Sequence, residues 1–512
     1  MNIKNIKKKL RFAAIFIICI ISLQLLLACG DTDTGADQSG NDNNPVIPGG
    51  ENSGDTPQAG ENAEEYIFPE LNCNGDDFTF LNMSTTWGFY TDLVHESLTG
   101  EVLDDAIFMR NLTIEETFNV NIKEIPIPVD NINRRFRDTV QAGDDIYDAA
   151  YIPCNVGSST PIGALITSDL MHNLNNIPQL NIDREWWNQS ILKDSVIGTS
   201  RSLYFLFGDI NIFPLQAAYC IFINEDMISN LGLELPYNLV KEGKWTYDAM
   251  YEYMKAGAQL NGGAENFRWE ADGPAIYGLT SFSGGALSLL LASGERGVEI
   301  DGDGMPYLTF ETERFHNVVE KLGQMLATRS EGHYHTANNA APHHFEQIFG
   351  NSRAVMMAGE LKASDLYRDM EETYGIVPMP KYDESQSRYY VPLTVQGPVL
   401  TIPTTNNNTE RAGIILDAMA YLSTKDVRPI FFDVTMSQKR LRNDESIEML
   451  QIIRDSLFFD IGFAYGWTHN ITSLIRDSLD AGGGGNVAST LEAQLPRSIA
   501  NMETSMDIIE SK

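Results

Sequence analysis

Residues 78–153 alternate between strand-like and helix-like patterns over short links. Mostly apolar runs are typical of buried strands, whereas apolar side chains spaced three and four residues apart are typical of amphipathic helices. Strands that alternate with helices in this way form a parallel sheet through right-handed crossovers. The pattern therefore predicts an α/β fold, with strands at 78–83, 120–127 and 148–153 and helices at 103–118 and 131–142.

The rest of the chain continues the α/β pattern. Short apolar runs bounded by turn residues predict strands at 202–207, 217–223, 275–280, 354–358, 375–379 and 399–402. Helical spacing predicts helices at 288–292, 312–328, 362–371 and 410–423, and over much of the chain after residue 446. A further helix should begin after Thr246, which we expect to be its N-cap, and run to about residue 260.

The first 29 residues have the layout of an export signal. Five basic residues and no acidic one precede a mostly apolar run at 12–27. A charged start before a short apolar core is typical of signal peptides, and the run is short for a membrane span of about 20 residues. Leu26-Leu27-Ala28-Cys29 resembles the bacterial lipobox, which implies a lipid on Cys29. An uncleaved anchor helix and a secretory peptide without lipid are the alternatives.

Residues 30–65 are rich in Asp, Asn, Gly, Ser and Pro and contain no Lys or Arg. Such a segment has too little apolar surface to offset its ordering entropy, so it predicts a solvated linker. About 450 residues follow it, which is too many for one ordinary core and enough for two lobes. An apolar content of 43% with 10% aromatic residues indicates that this part is globular.

The charge and the cysteines exclude some classes of function. The formal charge is −34. This argues against nucleic acid and acidic membrane surfaces as partners, because proteins bind both through clusters of Lys and Arg. The globular part has three widely spaced cysteines, Cys73, Cys154 and Cys220, which form no metal or disulfide framework. We expect buried thiols, and a single disulfide between two of them is the alternative.

Several segments, in this order, are similar to the family 1 extracellular solute-binding proteins of bacterial ABC importers. They cover most of the chain after residue 76. They are Leu103-Asp-Asp-Ala-Ile-Phe-Met-Arg-Asn111 leading to Glu115-Glu-Thr-Phe-Asn-Val120, Tyr147-Asp-Ala-Ala-Tyr151, Phe222-Ile-Asn-Glu-Asp-Met227 with Leu231-Gly-Leu233, Lys244-Trp-Thr-Tyr-Asp248, Phe349-Gly-Asn-Ser-Arg-Ala-Val-Met-Met-Ala-Gly359, and Tyr374-Gly-Ile-Val-Pro-Met-Pro-Lys381.

The resemblance implies a two-lobed periplasmic-binding-protein-like fold of type II. Each lobe would be a mostly parallel sheet flanked by helices, with the ligand in the cleft between the lobes. It implies chain crossings near 217–223 and 396–403 and a third after about residue 440. The predicted boundaries are a signal peptide at 1–28, a linker at 29–66, one lobe at 67–220 with 395–440, and the other at 221–394 with 441–512.

Candidate site residues lie at predicted strand ends and beside the predicted crossings. Carbohydrate clefts stack aromatic faces on sugar rings and bind hydroxyl groups with carboxylates and amides. The resemblance places a polar contact at Asn155 and a strand end that turns into the cleft at Glu360. A core or surface role is the alternative for each candidate. The candidates are Ser84, Trp87, Tyr90, Asn155, Asp209, Asn211, Phe282, Ser283 and Glu360.

Other chemistry has little support in the sequence. His333, His335, His343 and His344 could bind zinc, but the surrounding residues are typical of a loop, and we expect no metal and no cofactor. Adjacent acidic pairs such as those at 104–105 and 115–116 point apart, rather than flank a bond as a glycosidase requires. The sequence has no nucleophile elbow, phosphate-binding glycine loop or His-Glu-x-x-His motif.

These observations predict a monomeric receptor, not an enzyme. It would be held by its lipid on the outer face of the membrane of a Gram-positive cell, and it would deliver a solute, preferably a sugar, to the permease subunits of an ABC importer. A surface lipoprotein that hydrolyses glycans and a receptor for a non-sugar solute such as a peptide are the rivals.

Overall fold

The computed structural model describes residues 66–85, 87–155, 160–261, 273–282, 284–336, 344–394, 396–436, 444–480 and 487–512. The predicted export signal, Cys29 and the predicted linker lie outside these residues. The strands are β1 Asp77–Ser84, β2 Asn121–Pro128, β3 Ala149–Pro153, β4 Tyr219–Asn224, β5 Tyr277–Ser281, β6 Val298–Ile300, β7 Pro306–Leu308, β8 Tyr334–Thr336, β9 Ala354–Glu360, β10 Tyr374–Pro378, β11 Val391–Pro392, β12 Pro398–Thr401 and β13 Leu457–Phe458.

The α-helices are α1 Val102–Phe118, α2 Val129–Gln141, α3 Ile162–Thr167, α4 Gln189–Ser195, α5 Phe213–Gln216, α6 Glu225–Asn230, α7 Tyr237–Lys241, α8 Tyr247–Gly257, α9 Gly285–Ala292, α10 Glu313–Leu326, α11 His344–Gly350, α12 Thr409–Leu422, α13 Arg428–Met436, α14 Asp444–Asp455, α15 Ile461–Ala464, α16 His469–Asp480 and α17 Val487–Glu510. Short 3-10 turns connect several of them, and Leu361–Tyr367 is the one that borders the cleft.

The first sheet has the order β12-β3-β1-β2, with β1 parallel to both of its neighbours and β12 antiparallel to β3. The β1 strand is buried on both faces, because Phe78 and Phe80 belong to one hydrophobic cluster while Leu81 and Met83 belong to another. Burial on both faces explains why the strand is almost continuously apolar in sequence. We call the part of the protein built on this sheet the first lobe.

The second sheet has the order β10-β4-β9-β5-β8 and defines the second lobe. The β5 strand is parallel to β9 and β8, whereas β4 is antiparallel to both β9 and β10, so this sheet is mixed. The chain enters the second lobe through α5 and β4 and returns to the first through β12. Both sheets are flanked by helices, which confirms the predicted two-lobed α/β fold, but the second sheet is mixed and not mostly parallel as predicted.

Most predicted elements are present within a few residues of their predicted ends. Thr246 caps α8 as predicted, since its side chain accepts a hydrogen bond from the backbone N–H of Ala249. Two predicted elements were wrong. Residues 202–207 form isolated bridges, such as that between Leu206 and Leu400, instead of a strand, and the helix predicted at 362–371 is the 3-10 segment Leu361–Tyr367.

The last helix, the cysteines and the apolar character of the helices also bear on the predictions. The last helix, α17, packs against α16 and also against α3, so it contacts both predicted lobes. Cys73, Cys154 and Cys220 are buried and unpaired, as expected for buried thiols. Among the described residues, no helix has the length and apolar character that crossing a membrane would require.

Candidate functional site

Two cavities open between the lobes, near the ends of strands from both sheets. The smaller one, which we call the aromatic cavity, has a volume of about 310 Å³ and includes Asn155 after β3, Tyr219 on β4 and Phe282 after β5. The larger one, which we call the charged cavity, has a volume of about 560 Å³ and includes Tyr90 and Lys362. The linings described for the two cavities share no residue.

The aromatic cavity is built around two parallel rings. The rings of Tyr219 and Phe282 lie 5.8 Å apart between centroids and are inclined by only 7°. The Phe345 ring also packs against Phe282, with centroids 5.7 Å apart. Burial raises the pKa of Tyr219 far above its ordinary value, so its hydroxyl stays protonated. The cavity therefore offers flat apolar faces together with a neutral hydroxyl group.

Polar groups surround this aromatic pair. Asn155 is 6% exposed, and its side-chain amide donates to the backbone carbonyl of Phe463 at 3.1 Å. Asp460 caps α15 by accepting hydrogen bonds from the backbone N–H groups of Gly462 and Phe463. Burial raises the pKa of Asp460 to about 6. The carboxylate is thus committed mainly to the helix N-terminus, while the amide of Asn155 fixes the loop after β3 against α15.

One face of α16 completes the wall of the aromatic cavity. His469, Thr472 and Arg476 recur at intervals of three and four residues, which places them on the same side of the helix. Burial lowers the pKa of His469, so its imidazole is neutral at pH 7. Arg476 bonds the carboxylate of the adjacent Asp477 at 2.8 Å, which offsets its charge. The polar groups on this wall suit a hydroxyl-rich neutral ligand better than an ion.

The charged cavity has a different character. Tyr90 and Asp104 lie on the first-lobe side, where the Tyr90 hydroxyl donates to the Asp104 carboxylate at 2.7 Å. Lys362, Asp365 and Arg368 lie on the second-lobe side. Burial raises the pKa of Tyr90, as does the neighbouring Asp104. This cavity is therefore lined by charges of both signs, several of which already pair with each other.

The structure brings three predicted site residues to the cavities. Asn155 and Phe282 line the aromatic cavity, and Tyr90 lines the charged one. Trp87 lies beside the charged cavity, and its backbone carbonyl accepts a hydrogen bond from Lys362. Ser84 is half-buried at the end of β1 and lines neither cavity.

The remaining candidates lie elsewhere or make contacts within the protein. The Asp209 carboxylate pairs with Arg428 at 2.5 Å, which joins the segment before α5 to α13. The buried side chain of Asn211 accepts a hydrogen bond from the backbone N–H of Phe213. Glu360 is half-buried at the end of β9, 3.5 Å from Lys362. Ser283 lies outside the described residues.

Sequence reasoning missed most residues of the aromatic cavity, among them Tyr219, Asp460, His469 and Arg476. Tyr219 lies inside a predicted strand, and its position within the predicted first crossing was the signal that could have identified it. Asp460, His469 and Arg476 are more than 300 residues from Asn155 in sequence, and no motif connects them. The spacing of His469 and Arg476 on one helix face indicates only that they are neighbours.

The histidine cluster is only partly described. His333 lies 3.4 Å from the carboxylate of Glu331, and burial lowers its pKa. His343 lies outside the described residues. Among the residues that the structure does describe, no group of three or more His, Cys, Asp or Glu side chains is placed to hold a metal ion.

Comparison with known structures identifies the fold. The galacto-N-biose/lacto-N-biose I-binding protein of the ABC transporter from Bifidobacterium longum, in complex with lacto-N-biose, is 12% identical with a TM-score of 0.55 and covers 84% of this chain and 98% of its own. A cyclo/maltodextrin-binding protein complexed with maltotetraose is 12% identical with a TM-score of 0.52 and covers 84% and 97%. RafE from Streptococcus pneumoniae is 13% identical with a TM-score of 0.51 and covers 85% and 100%.

These identities are too low to carry residue roles from one protein to another, and what they establish is the shared two-lobed architecture. No protein-family model and no curated protein sequence matches the chain at a significant level.

Proposed function

We propose that this chain is the solute-binding component of an ABC importer and that its solute is a carbohydrate. The observation that carries the proposal is the parallel pair of Tyr219 and Phe282, which lies beside Asn155 in the cleft between the lobes. Proteins with this architecture include receptors that bind lacto-N-biose and maltotetraose. The protein would capture and deliver its solute without changing it chemically.

The chemistry of the aromatic cavity supports a sugar. The apolar faces of a pyranose ring stack on aromatic side chains, because the C–H groups meet the negative face of the ring system. Hydroxyl groups need donors and acceptors at fixed positions, which Asn155, Thr472 and the neutral His469 provide. A pocket that combines apolar surface with a few convergent polar groups is typical of small-molecule sites.

Delivery to an importer requires a change of shape. A solute that contacts both lobes binds the closed arrangement better than the open one, and this difference in affinity drives closure. Closure would present surfaces of both lobes together to the permease subunits. Asn155 comes from the first lobe and Phe282 from the second, so one ligand in the aromatic cavity would contact both.

The proposal extends to where the protein works. Processing at the lipobox-like tetrad would leave a lipid on Cys29, and the acidic linker would hold the lobes clear of the membrane. In a Gram-positive cell this anchor would keep a monomeric receptor near its importer. The proposed lobes are 67–220 with 395–440 and 221–394 with 441–512.

A ligand screen tests the proposed solute. The purified protein is heated with mono- and oligosaccharides and, in parallel, with short peptides. A ligand at 100 times its dissociation constant should add about 2.7 kcal/mol to the free energy of unfolding. We expect stabilisation by at least one sugar. Stabilisation by peptides alone would contradict the carbohydrate assignment. Release of shorter sugars during incubation would contradict the assignment of the protein as a receptor, because it would show hydrolysis.

A substitution then locates the site. Phe282→Ala removes one of the two stacked rings, and we expect it to weaken binding of the stabilising sugar at least tenfold. Tyr307→Ala is the control, because Tyr307 is an exposed aromatic residue on β7 that lines neither cavity. Equal affinities of the two variants, measured by titration calorimetry, would show that the sugar binds elsewhere.

A further inference from the structure

One side chain of the second lobe crosses the cleft and binds the first lobe. Lys362 follows β9 and lies in the 3-10 segment Leu361–Tyr367. Its ammonium group donates to the backbone carbonyl of Trp87 at 2.7 Å. Trp87 lies in the loop after β1, so this hydrogen bond joins residues from the two sheets.

A second contact strengthens the crossing. The Lys362 nitrogen lies 3.7 Å from the centroid of the Phe89 ring, which is a short cation–π distance. The Phe89 ring packs in turn on Phe213 of α5, with centroids 4.2 Å apart. The ammonium group is therefore held by the loop after β1, and this loop is itself packed on the segment through which the chain enters the second lobe.

Because Lys362 is largely buried, losing these contacts would be energetically costly. Its side chain is only 17% exposed, and Glu360 is 3.5 Å away on the same lobe. Charge-assisted hydrogen bonds are stronger than neutral ones, and a partly desolvated ion loses much if its partners are withdrawn. Separating the lobes would remove the Trp87 carbonyl and the Phe89 ring together, while Glu360 would stay with Lys362.

The position of the bridge also relates it to the cavities. Lys362 lines the charged cavity, and Glu360 is the register partner of Tyr219, whose ring lines the aromatic cavity. The bridge thus borders the charged cavity, and the strand residue two positions before Lys362 pairs with a residue of the aromatic cavity. A motion that opened the aromatic cavity by moving β1 away from β9 would have to break it.

We propose that Lys362 is a latch that favours the closed arrangement of the lobes through Trp87 and Phe89. This inference rests on the proposed function for its purpose, because a latch matters to a receptor that closes around a solute. A solute that binds the closed arrangement has an apparent affinity set by the population of that arrangement. The latch would therefore raise solute affinity from a position outside the aromatic cavity.

The test measures the distance between the lobes without any solute. Spin labels are attached to Glu116→Cys on α1 and Glu320→Cys on α10, both exposed, in a chain with Cys29→Ser; the other three mature cysteines are buried. Lys362→Met keeps the aliphatic stem and removes the charge. The distance between the two labels is measured by pulsed electron paramagnetic resonance. We expect the distribution of Lys362→Met to shift to longer distances than that of the unsubstituted protein.

Two further variants sharpen the result. Lys255→Met removes a cation that lies over Tyr251 within α8 and crosses no cleft, so it should leave the distribution unchanged. Lys362→Arg keeps a cationic donor and should restore the shorter distances. Normal circular dichroism and cooperative melting of Lys362→Met establish that the variant is folded.

The latch and the proposed function can fail separately. If the Lys362→Met distribution matches the unsubstituted one, the latch is overturned whatever the protein binds. If a sugar binds, Lys362→Met should raise its dissociation constant about tenfold, and an unchanged constant would also overturn the latch. If no sugar binds at all, the carbohydrate assignment fails, while the distance measurement still decides the latch.

Discussion

Burial of the Glu360 carboxyl group makes the free energy of unfolding depend on pH. Burial raises the pKa of Glu360 from its ordinary 4.5 to about 7, and Lys362 opposes this rise. Between those two pH values the folded protein holds a proton that the unfolded chain has already lost. Raising the pH through this window therefore lowers the free energy of unfolding.

We predict that Glu360→Gln reduces this loss. Glutamine has nearly the same shape but cannot ionise. The variant should therefore lose no stability through ionisation of this side chain as the pH rises. From pH 5 to pH 8 the unsubstituted protein should lose on the order of 1 to 3 kcal/mol more stability than the variant. Urea unfolding at both pH values measures the difference, in which other titrating groups cancel.

Glu116→Gln, on the exposed face of α1, is the matched control and should follow the unsubstituted protein. An identical pH dependence for Glu360→Gln and the unsubstituted protein would show that Glu360 is ionised in the fold without penalty.

Among the residues of the cleft, sequence reasoning located those that follow predicted strands. Asn155 and Phe282 were expected at strand ends, and they line the aromatic cavity. Sequence reasoning gave no indication that Lys362 connects the two lobes, because the partners of its ammonium group lie about 275 residues away in the chain. Local sequence specifies where a strand ends, whereas long-range contacts decide what a charged side chain meets.

At the scale of elements, the packing of β5 on α8 depends on one glycine. A Cβ atom on Gly278 would lie 2.2 Å from the backbone carbonyl oxygen of Met254, which is far inside van der Waals contact. Because backbone cannot move aside as a flexible side chain can, the strand and the helix would have to separate. The absence of a side chain at this position sets the distance between the two elements.

We predict that Gly278→Ala destabilises the protein by about 1 to 3 kcal/mol or more, as overpacking of a close contact does. Gly302→Ala is the control, since its Cβ would meet nothing within 4 Å. Thermal unfolding of both variants measures the effect. A melting temperature of Gly278→Ala equal to that of Gly302→Ala would contradict the close approach.

Elements with a strong local pattern were predicted best. Thr246 begins α8 in both sequence and structure, because an N-cap acts within one helical turn. The segment at 202–207 has the apolar content of a strand, yet its pairings are isolated bridges, such as that of Ile197 with Ser202. Apolar content predicts burial there, and the choice between a strand and an irregular buried segment depends on which neighbours are available.

For the whole molecule, the anchor and the cleft should be separable. We predict that Cys29→Ala leaves the protein unprocessed or releases it from the membrane, because the thiol is the group that would carry the lipid. Cell fractionation measures the distribution of the protein. Sugar affinity should not change, since the proposed site lies in the lobes, and full retention of the processed variant in the membrane would exclude a lipid anchor on Cys29.

The sequence by itself determined the α/β class and the alternation of elements around β1 to β3, and it predicted an export signal and a linker ahead of a large globular part. These depend on periodicity and composition, which act locally. Only the tertiary structure decided that Tyr219 stacks on Phe282, that His469 lines the same cavity as Asn155 and that Lys362 reaches Trp87. Such contacts join distant segments, and they form only when the two sheets are packed together.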